Sequence, residues 1–384
     1  MAARARLVAL AALAVLAGTA LACATTTRAA PLDRAAVARL FAERHVRAAP
    51  AVVPFELTEE MRAWAHRTVP DPNLPVERRL HLLLRALIDP GGLGVAYDAD
   101  ATGTAAEVFA SRRANCLAFT NLFVGMAREL ELPVFYLEIG DLQRFEREGD
   151  LVVAAGHVSA AASGYADDRY LDVLDFTVAP IADYRQLRRL SDREAIALHY
   201  VNRGGELLRA GRYADALPWL DGAVALAPDQ ARGWVNLGVA RRRSGDAAGA
   251  EAAYRRALEA DPDSAAAYEN LASLLRRSSR DREAEELLVL AARVGGRNPF
   301  SYLSLGDVSL AHGRLDEARR LYRRALGLYG EHAEPYAAMG QWALAAGEVK
   351  EARRWLAKAA AIDGQNDRVR RLASALASSA GGVA

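Results

Sequence analysis

The chain has 384 residues, too many for one ordinary hydrophobic core, so two or three folding units are expected. A quarter of the residues are charged, yet the net charge is only +1, which gives nucleic acid or an anionic surface no electrostatic reason to bind. The chain has no zinc-type cysteine spacing, HExxH, Walker loop or GxGxxG, so neither a metal nor another cofactor is expected.

In chain order, Arg4 and Arg6 precede a short apolar run, 7–18, and a small-residue exit, Ala20-Leu21-Ala22. That order is the layout of a secretory signal peptide over 1–22. The run is too short to stay in a bilayer as a spanning helix, so export to the periplasmic side of a cell envelope is expected. Cys23 follows directly, and Ala20-Leu21-Ala22-Cys23 resembles the lipobox of bacterial lipoproteins. The resemblance implies a lipid on Cys23, membrane attachment through it, and a polar tether over 23–33. The same residues also read as an ordinary A-x-A cleavage site, and Ala20 stands where lipoboxes usually carry leucine.

Helical spacing is expected over 34–46 and 58–68, with Val37, Leu40 and Phe41 on one face. Pro70 to Pro75 breaks the chain before a third helix over 76–88, whose Leu80, Leu83, Leu84 and Leu87 cluster on one side. Thr104 and Glu107 form a capping box for a short helix ending near Arg112. Cys116 then opens an apolar helical run to about residue 130. Three strand-like runs follow at 133–139, 152–162 and 169–178, separated by polar loops, an α+β order.

From residue 197 the chain repeats itself every 34 residues. Gly204, Gly238, Ala272, Gly306 and Gly340 form one column of small residues. Ala216, Ala250, Ala284, Ala318 and Ala352 form a second, and Ala223, Ala257, Ala291, Ala325 and Ala359 a third. Small residues at these columns let two helices of a hairpin approach closely. Trp234, Tyr268, Tyr302 and Tyr336 recur with the same period, and Pro228 and Pro262 close the first two units. This pattern resembles the tetratricopeptide repeat. Five units fit over 197–366, with a capping helix and tail over 367–384. The resemblance implies an all-α superhelix with a groove for a protein or peptide ligand.

Cys116 carries the chemical question. If Cys23 is lipidated, this thiol has no intramolecular partner. It is expected at a helix N-terminus, where unpaired N–H groups favour a thiolate. His157 follows on a strand-like run beside Gly156, and Asp175 on the next run. Cysteine, histidine and aspartate in that order is the arrangement of a papain-like triad. Taken singly, each has a plainer reading: a core cysteine, a structural histidine, a strand-ending aspartate.

Residues 75–180 resemble the transglutaminase-like superfamily on Arg112-Arg-Ala-Asn-Cys116, Leu130-Glu-Leu-Pro-Val134, Gly156-His-Val-Ser159 and Leu174-Asp-Phe-Thr177. The resemblance implies a papain-like α+β domain over 34–190 with Cys116, His157 and Asp175 in the catalytic positions. Ala114 departs from the family's glycine, and Asp172 is a second acid near the expected place. Two functions are therefore weighed. One is an exported thiol enzyme, an amide hydrolase or acyltransferase whose repeats recruit a partner. The other is a catalytically silent module that acts with the repeats as an envelope interaction scaffold. Trp219, Trp234, Trp342 and Trp355 read as repeat packing, and His45, His66 and His81 as solvated surface.

Overall fold

The computed structural model describes residues 32–46, 48–148, 151–163, 171–174, 186–296 and 298–381. Residues 1–31, over which the signal peptide and most of the tether are expected, Cys23 among them, and Asp175 lie outside the described residues. No helix among the described residues is long and apolar enough to cross a membrane.

The N-terminal portion is built around one helix. Helices α1 (Arg34–Glu43), α2 (Glu59–Thr68), α3 (Val76–Ile88) and α4 (Ala105–Ser111) precede α5 (Cys116–Glu129). The capping box at α4 forms as expected, with the Thr104 hydroxyl and the Glu107 carboxylate each meeting the other's backbone N–H. Helix α5 is buried on every side from Leu117 to Ala127. A helix that is apolar all round must be enclosed, and α2, α3, α4 and two long strands supply its walls.

Those strands are β3 (Val134–Glu148) and β4 (Leu151–Ser163), after a short parallel bridge of β1 (Ala96–Tyr97) with β2 (Arg113–Ala114). With β5 (Leu171–Leu174) and β6 (Leu187–Leu190) they form a sheet of order β5-β4-β3-β6, antiparallel throughout. Two features differ from the sequence reading. The polar loop expected after residue 139 continues β3 to Glu148, because the apolar run Leu151–Ala155 offers it a full antiparallel ladder. The register slips between Ile139 and Arg144, so the extension is joined through an irregular stretch. Strand β6 has no counterpart among the expected strands; Leu187-Arg-Arg-Leu190 pairs with Tyr136–Ile139.

Beyond β6 every described element is a helix. Helix α6 (Asp192–Arg209) starts at a second capping box, Ser191 with Glu194. It pairs with α7 (Tyr213–Leu226), followed by α8 (Ala231–Arg243) with α9 (Ala247–Ala260) and α10 (Ala265–Arg277) with α11 (Asp281–Val294). Next come α12 (Pro299–Ala311) with α13 (Leu315–Leu328), α14 (Ala333–Ala345) with α15 (Val349–Asp363), and the closing α16 (Asp367–Gly381). The starts of both helix series advance by 34 residues per pair from α8 and α7 onward.

The small-residue columns do what their size allows. A Cβ built on Gly238 would lie 2.5 Å from the Tyr254 ring, and one on Gly306 would lie 2.4 Å from the Tyr322 ring. Both tyrosines are fully buried. The corresponding pair between them is Ala272 with Leu288, both in one buried cluster. Gly238→Ala should therefore destabilise the chain by about 1–3 kcal/mol through overpacking. In a Tyr254→Leu background the same change should cost little, because that pair reproduces Ala272 and Leu288. Urea unfolding of the four chains of this cycle checks it, and an equal cost in both backgrounds would refute the explanation.

Candidate functional site

Cys116 is the first residue of α5 and a partly exposed free thiol. Its position is set from both sides. Asn115 caps the helix, accepting from the Ala118 amide at 2.9 Å, and its own amide donates to the Thr102 hydroxyl at 2.8 Å. The Thr102 amide in turn donates to Glu206 of α6 at 2.9 Å. The cysteine turn is thus tied to the first helix of the repeats.

His157 lies on β4, paired with Ile139 of β3 at the last regular register position before the slip. Helix α5 meets β4 one turn from Cys116, where the Thr120 hydroxyl donates to the Cys116 carbonyl at 2.8 Å and reaches the Val158 carbonyl at 3.3 Å. The cysteine helix and the histidine strand are therefore neighbours. The side chains of Val158, Ala160 and Ala162 join the core around α5, whereas Ala161 clusters with Phe135, Leu137 and Ile139. Strand alternation therefore sets His157 on the Ile139 side, away from α5. Asp172 is on β5, paired with Ala162, and Asp175 lies outside the described residues. Among the described residues no group of three histidine, cysteine or carboxylate side chains could hold a metal ion.

The second feature is the junction between sheet and repeats. Strand β4 also lies against α8 and α10, first helices of the second and third pairs. Glu138 of β3 accepts from Arg188 of β6 at 2.8 Å and from Arg232 of α8 at 3.1 Å. Arg188 also reaches Glu194 at the start of α6. This cluster of four charged residues encloses one side of a cavity of about 330 Å³ between the sheet edge and the starts of α8 and α10. Further links join the two portions: Arg128 of α5 holds Asp192 through two bonds of 2.8 and 3.0 Å, and the Tyr200 hydroxyl accepts from the Val52 amide at 2.8 Å while donating to Pro50.

His199 has no role in the sequence reading, since a histidine in a helical repeat gives no signal of its surroundings. It is 2% exposed, with Tyr200 and Trp219 each 6.2 Å away ring to ring. Burial pushes its pKa down to about 4; Glu107 opposes that shift and Arg203 adds to it. The tryptophans expected in repeat packing are found there: Trp219 against Tyr200 at 5.1 Å, and Trp355 near Tyr336 at 6.0 Å.

The models of the tetratricopeptide repeat match residues 201–265, 235–301 and 309–376. The chain carries tetratricopeptide repeats, and these matches cover the C-terminal part only. No curated protein matches the chain. Among solved structures, pilF of Pseudomonas aeruginosa is similar at 24% identity and a TM-score of 0.44, covering 49% of this chain and 86% of that one. A thermophilic tetratricopeptide-repeat protein of Thermus thermophilus is similar at 25% identity and a TM-score of 0.41, covering 47% and 98%. YrrB, described as a repeat protein with an unusual peptide-binding site, is similar at 19% identity and a TM-score of 0.36, covering 46% and 92%.

The buried histidine makes stability depend on pH. The folded-state pKa lies below the unfolded value of about 6.5, so between the two the unfolded chain binds more protons. Stability is full above about 6.5 and falls as pH drops toward 4, by about 2 kcal/mol between pH 7 and 5. His199→Leu should remove that part of the acid sensitivity; thermal unfolding at the two pH values, with an unchanged difference in the variant, would contradict it.

Proposed function

We propose that the chain is an exported protein-interaction scaffold, held at the membrane by a lipid on Cys23, whose repeats bind a protein or peptide partner. The observation that carries this reading is the set of tetratricopeptide repeats matched over 201–301 and 309–376. The N-terminal portion is an integral part of the scaffold rather than a tethered neighbour. It is joined to the repeats through Glu138–Arg232, Arg128–Asp192 and the Tyr200 strap over Pro50 and Val52. The alternation that turns His157 away from α5 favours a silent module.

A second reading keeps one observation on its side. Cys116 is a partly exposed thiol at a helix start, and Val158, next to His157, is within reach of that helix's first turn. On that reading the module is transglutaminase-like, and Cys116, His157 and Asp175 hydrolyse an amide or transfer its acyl group through a thioester.

Alkylation separates the two. On the scaffold reading, iodoacetamide at neutral pH modifies Cys116 at the same rate, within about twofold, in the parent and in His157→Ala. A slowing of about tenfold or more in the variant would overturn the scaffold reading in favour of the enzyme. The anchor is tested apart from this. Growth with labelled palmitate should give a labelled protein band that disappears in Cys23→Ser, and an unlabelled mature protein would mean plain secretion.

A further inference from the structure

Near its end the helical array reverses a pair of charges. At the turns entering α11 and α13, an arginine reaches back to a glutamate of the preceding pair. Arg280 holds Glu251 at 2.9 Å, and Arg314 holds Glu285 at 2.5 Å. One repeat further on, the same two positions carry Glu348 and Arg319, with the signs exchanged. The exchanged pair does not close into an ion pair. Arg319 instead lies over the Trp342 ring at 4.5 Å, and its Nε is buried without an acceptor.

The neighbouring positions depart from the pattern as well. Trp342 stands where the earlier first helices carry Val308, Leu274 and Ala240, and Lys350 stands where the preceding repeat has Asp316. Together these residues border an open cleft of about 640 Å³ between α13 and α15, lined by Arg319, Arg323, Trp342, Lys350, Arg354 and Trp355. Of the four cations, only Arg354 has a carboxylate partner among the described residues, Glu351 at 3.3 Å. The Trp355 indole N–H is buried without an acceptor too. Arginine, lysine and the indole are donors only, so Arg319, Arg323, Lys350 and the Trp355 N–H lack the same thing, an acceptor, while Glu348 and Glu351 line the cleft beside them. Val349, 37% exposed, and the indole faces supply an apolar wall beside them.

We infer that this cleft, formed by α13, α15 and Trp342 of α14, is a docking site for an acidic peptide segment of a partner protein. Its carboxylates accept from Arg319, Arg323, Lys350 and the Trp355 N–H, and an apolar side chain lies on the indole and Val349. An anionic bilayer shares the charge but not the shape. The donors line a concave cleft, which a flat layer of headgroups does not enter.

The test uses the full chain and a fluorescein-labelled hexapeptide alternating aspartate and leucine, followed by fluorescence anisotropy. Arg323 and Lys350 are exposed, so Arg323→Gln with Lys350→Gln leaves the cores intact. That double variant should weaken binding by about tenfold or more, and Trp355→Phe, which removes the N–H and keeps an aromatic ring, by about threefold or more. Equal binding by the double variant would overturn the proposal. So would equal binding of the same peptide with asparagine for aspartate, or binding to phosphatidylglycerol vesicles without binding to the peptide.

Discussion

In three of the five helix pairs, a bulky side chain lies against the backbone of the neighbouring helix. Leu220 would meet a Cβ on Gly204 at 2.6 Å, Tyr254 one on Gly238 at 2.5 Å, and Tyr322 one on Gly306 at 2.4 Å. That close approach needs a residue with no side chain, and it sets how deeply the two helices of a pair interlock. The alanine columns extend it: Ala216, Ala250, Ala284, Ala318 and Ala352 are fully buried, as are Ala257, Ala291, Ala325 and Ala359. With the interlock repeated at a fixed step, each pair presents the next with the same surface, and the array grows by stacking. The last unit departs from this: Gly340 faces Leu372 of α16, so the closing helix takes the place the next repeat would have filled. Arg368 secures that helix, 4% exposed, donating to Gln341 at 2.8 Å and Asp307 at 3.2 Å. A guanidinium this buried costs much to leave unpaired, so its partners define one docking geometry for α16.

At the other end the array is closed by the N-terminal portion. Phe41 of α1 packs edge-on against Tyr200 at 5.8 Å, and the Tyr200 hydroxyl holds the strap at Pro50 and Val52. Burial pushes the Tyr200 pKa up to about 12, so the hydroxyl stays a donor across the physiological range. Helix α5 then plays for this portion the part that the glycine column plays for the repeats. Being apolar all round, it demands helices on one side and a sheet on the other, and the sheet it recruits carries Glu138 to Arg232. The chain thus places its sheet against the first helices of its own second and third pairs.

Much of this was legible in the sequence because it repeats or because it caps. A 34-residue step of small residues has few physical solutions, and both capping boxes form where Thr104–Glu107 and Ser191–Glu194 stand. The helix opened by Cys116 was legible from an unbroken apolar run. What escaped was set by partners far away in the chain. Leu187–Leu190 is too short and too charged to read as a strand, yet Glu138, some fifty residues earlier, holds its Arg188. The Phe145 stretch reads as loop by itself and becomes strand because its apolar partner supplies a ladder. For the candidate triad, residue order was visible but facing was not. Which face of β4 packs on α5, set by the pairing of His157–Ala162 with Val134–Ile139, decides the side His157 takes, and the loose alternation of these apolar runs does not announce it.

In an array of near-identical units, positions that obey the period carry the packing, and positions that break it are free of that duty. The buried alanines and glycines keep to the period because any larger side chain would push two helices apart. Arg280–Glu251 and Arg314–Glu285 also keep to it, each stitching one pair to the next through partly exposed charges worth little individually. At Arg319 and Glu348 the stitch is dropped although both charges remain, so stability between the last pairs must come from packing instead. Trp342 supplies it: 6% exposed, it donates to the Leu315 carbonyl at 3.0 Å and carries Arg319 on its ring. A tryptophan that takes over the structural role of an ion pair releases the cation for another partner. That exchange is why the reading of Trp342 and Trp355 as packing residues is right but incomplete: the indoles that join α14 to α13 and α15 to α14 also line the cleft where unpaired donors collect.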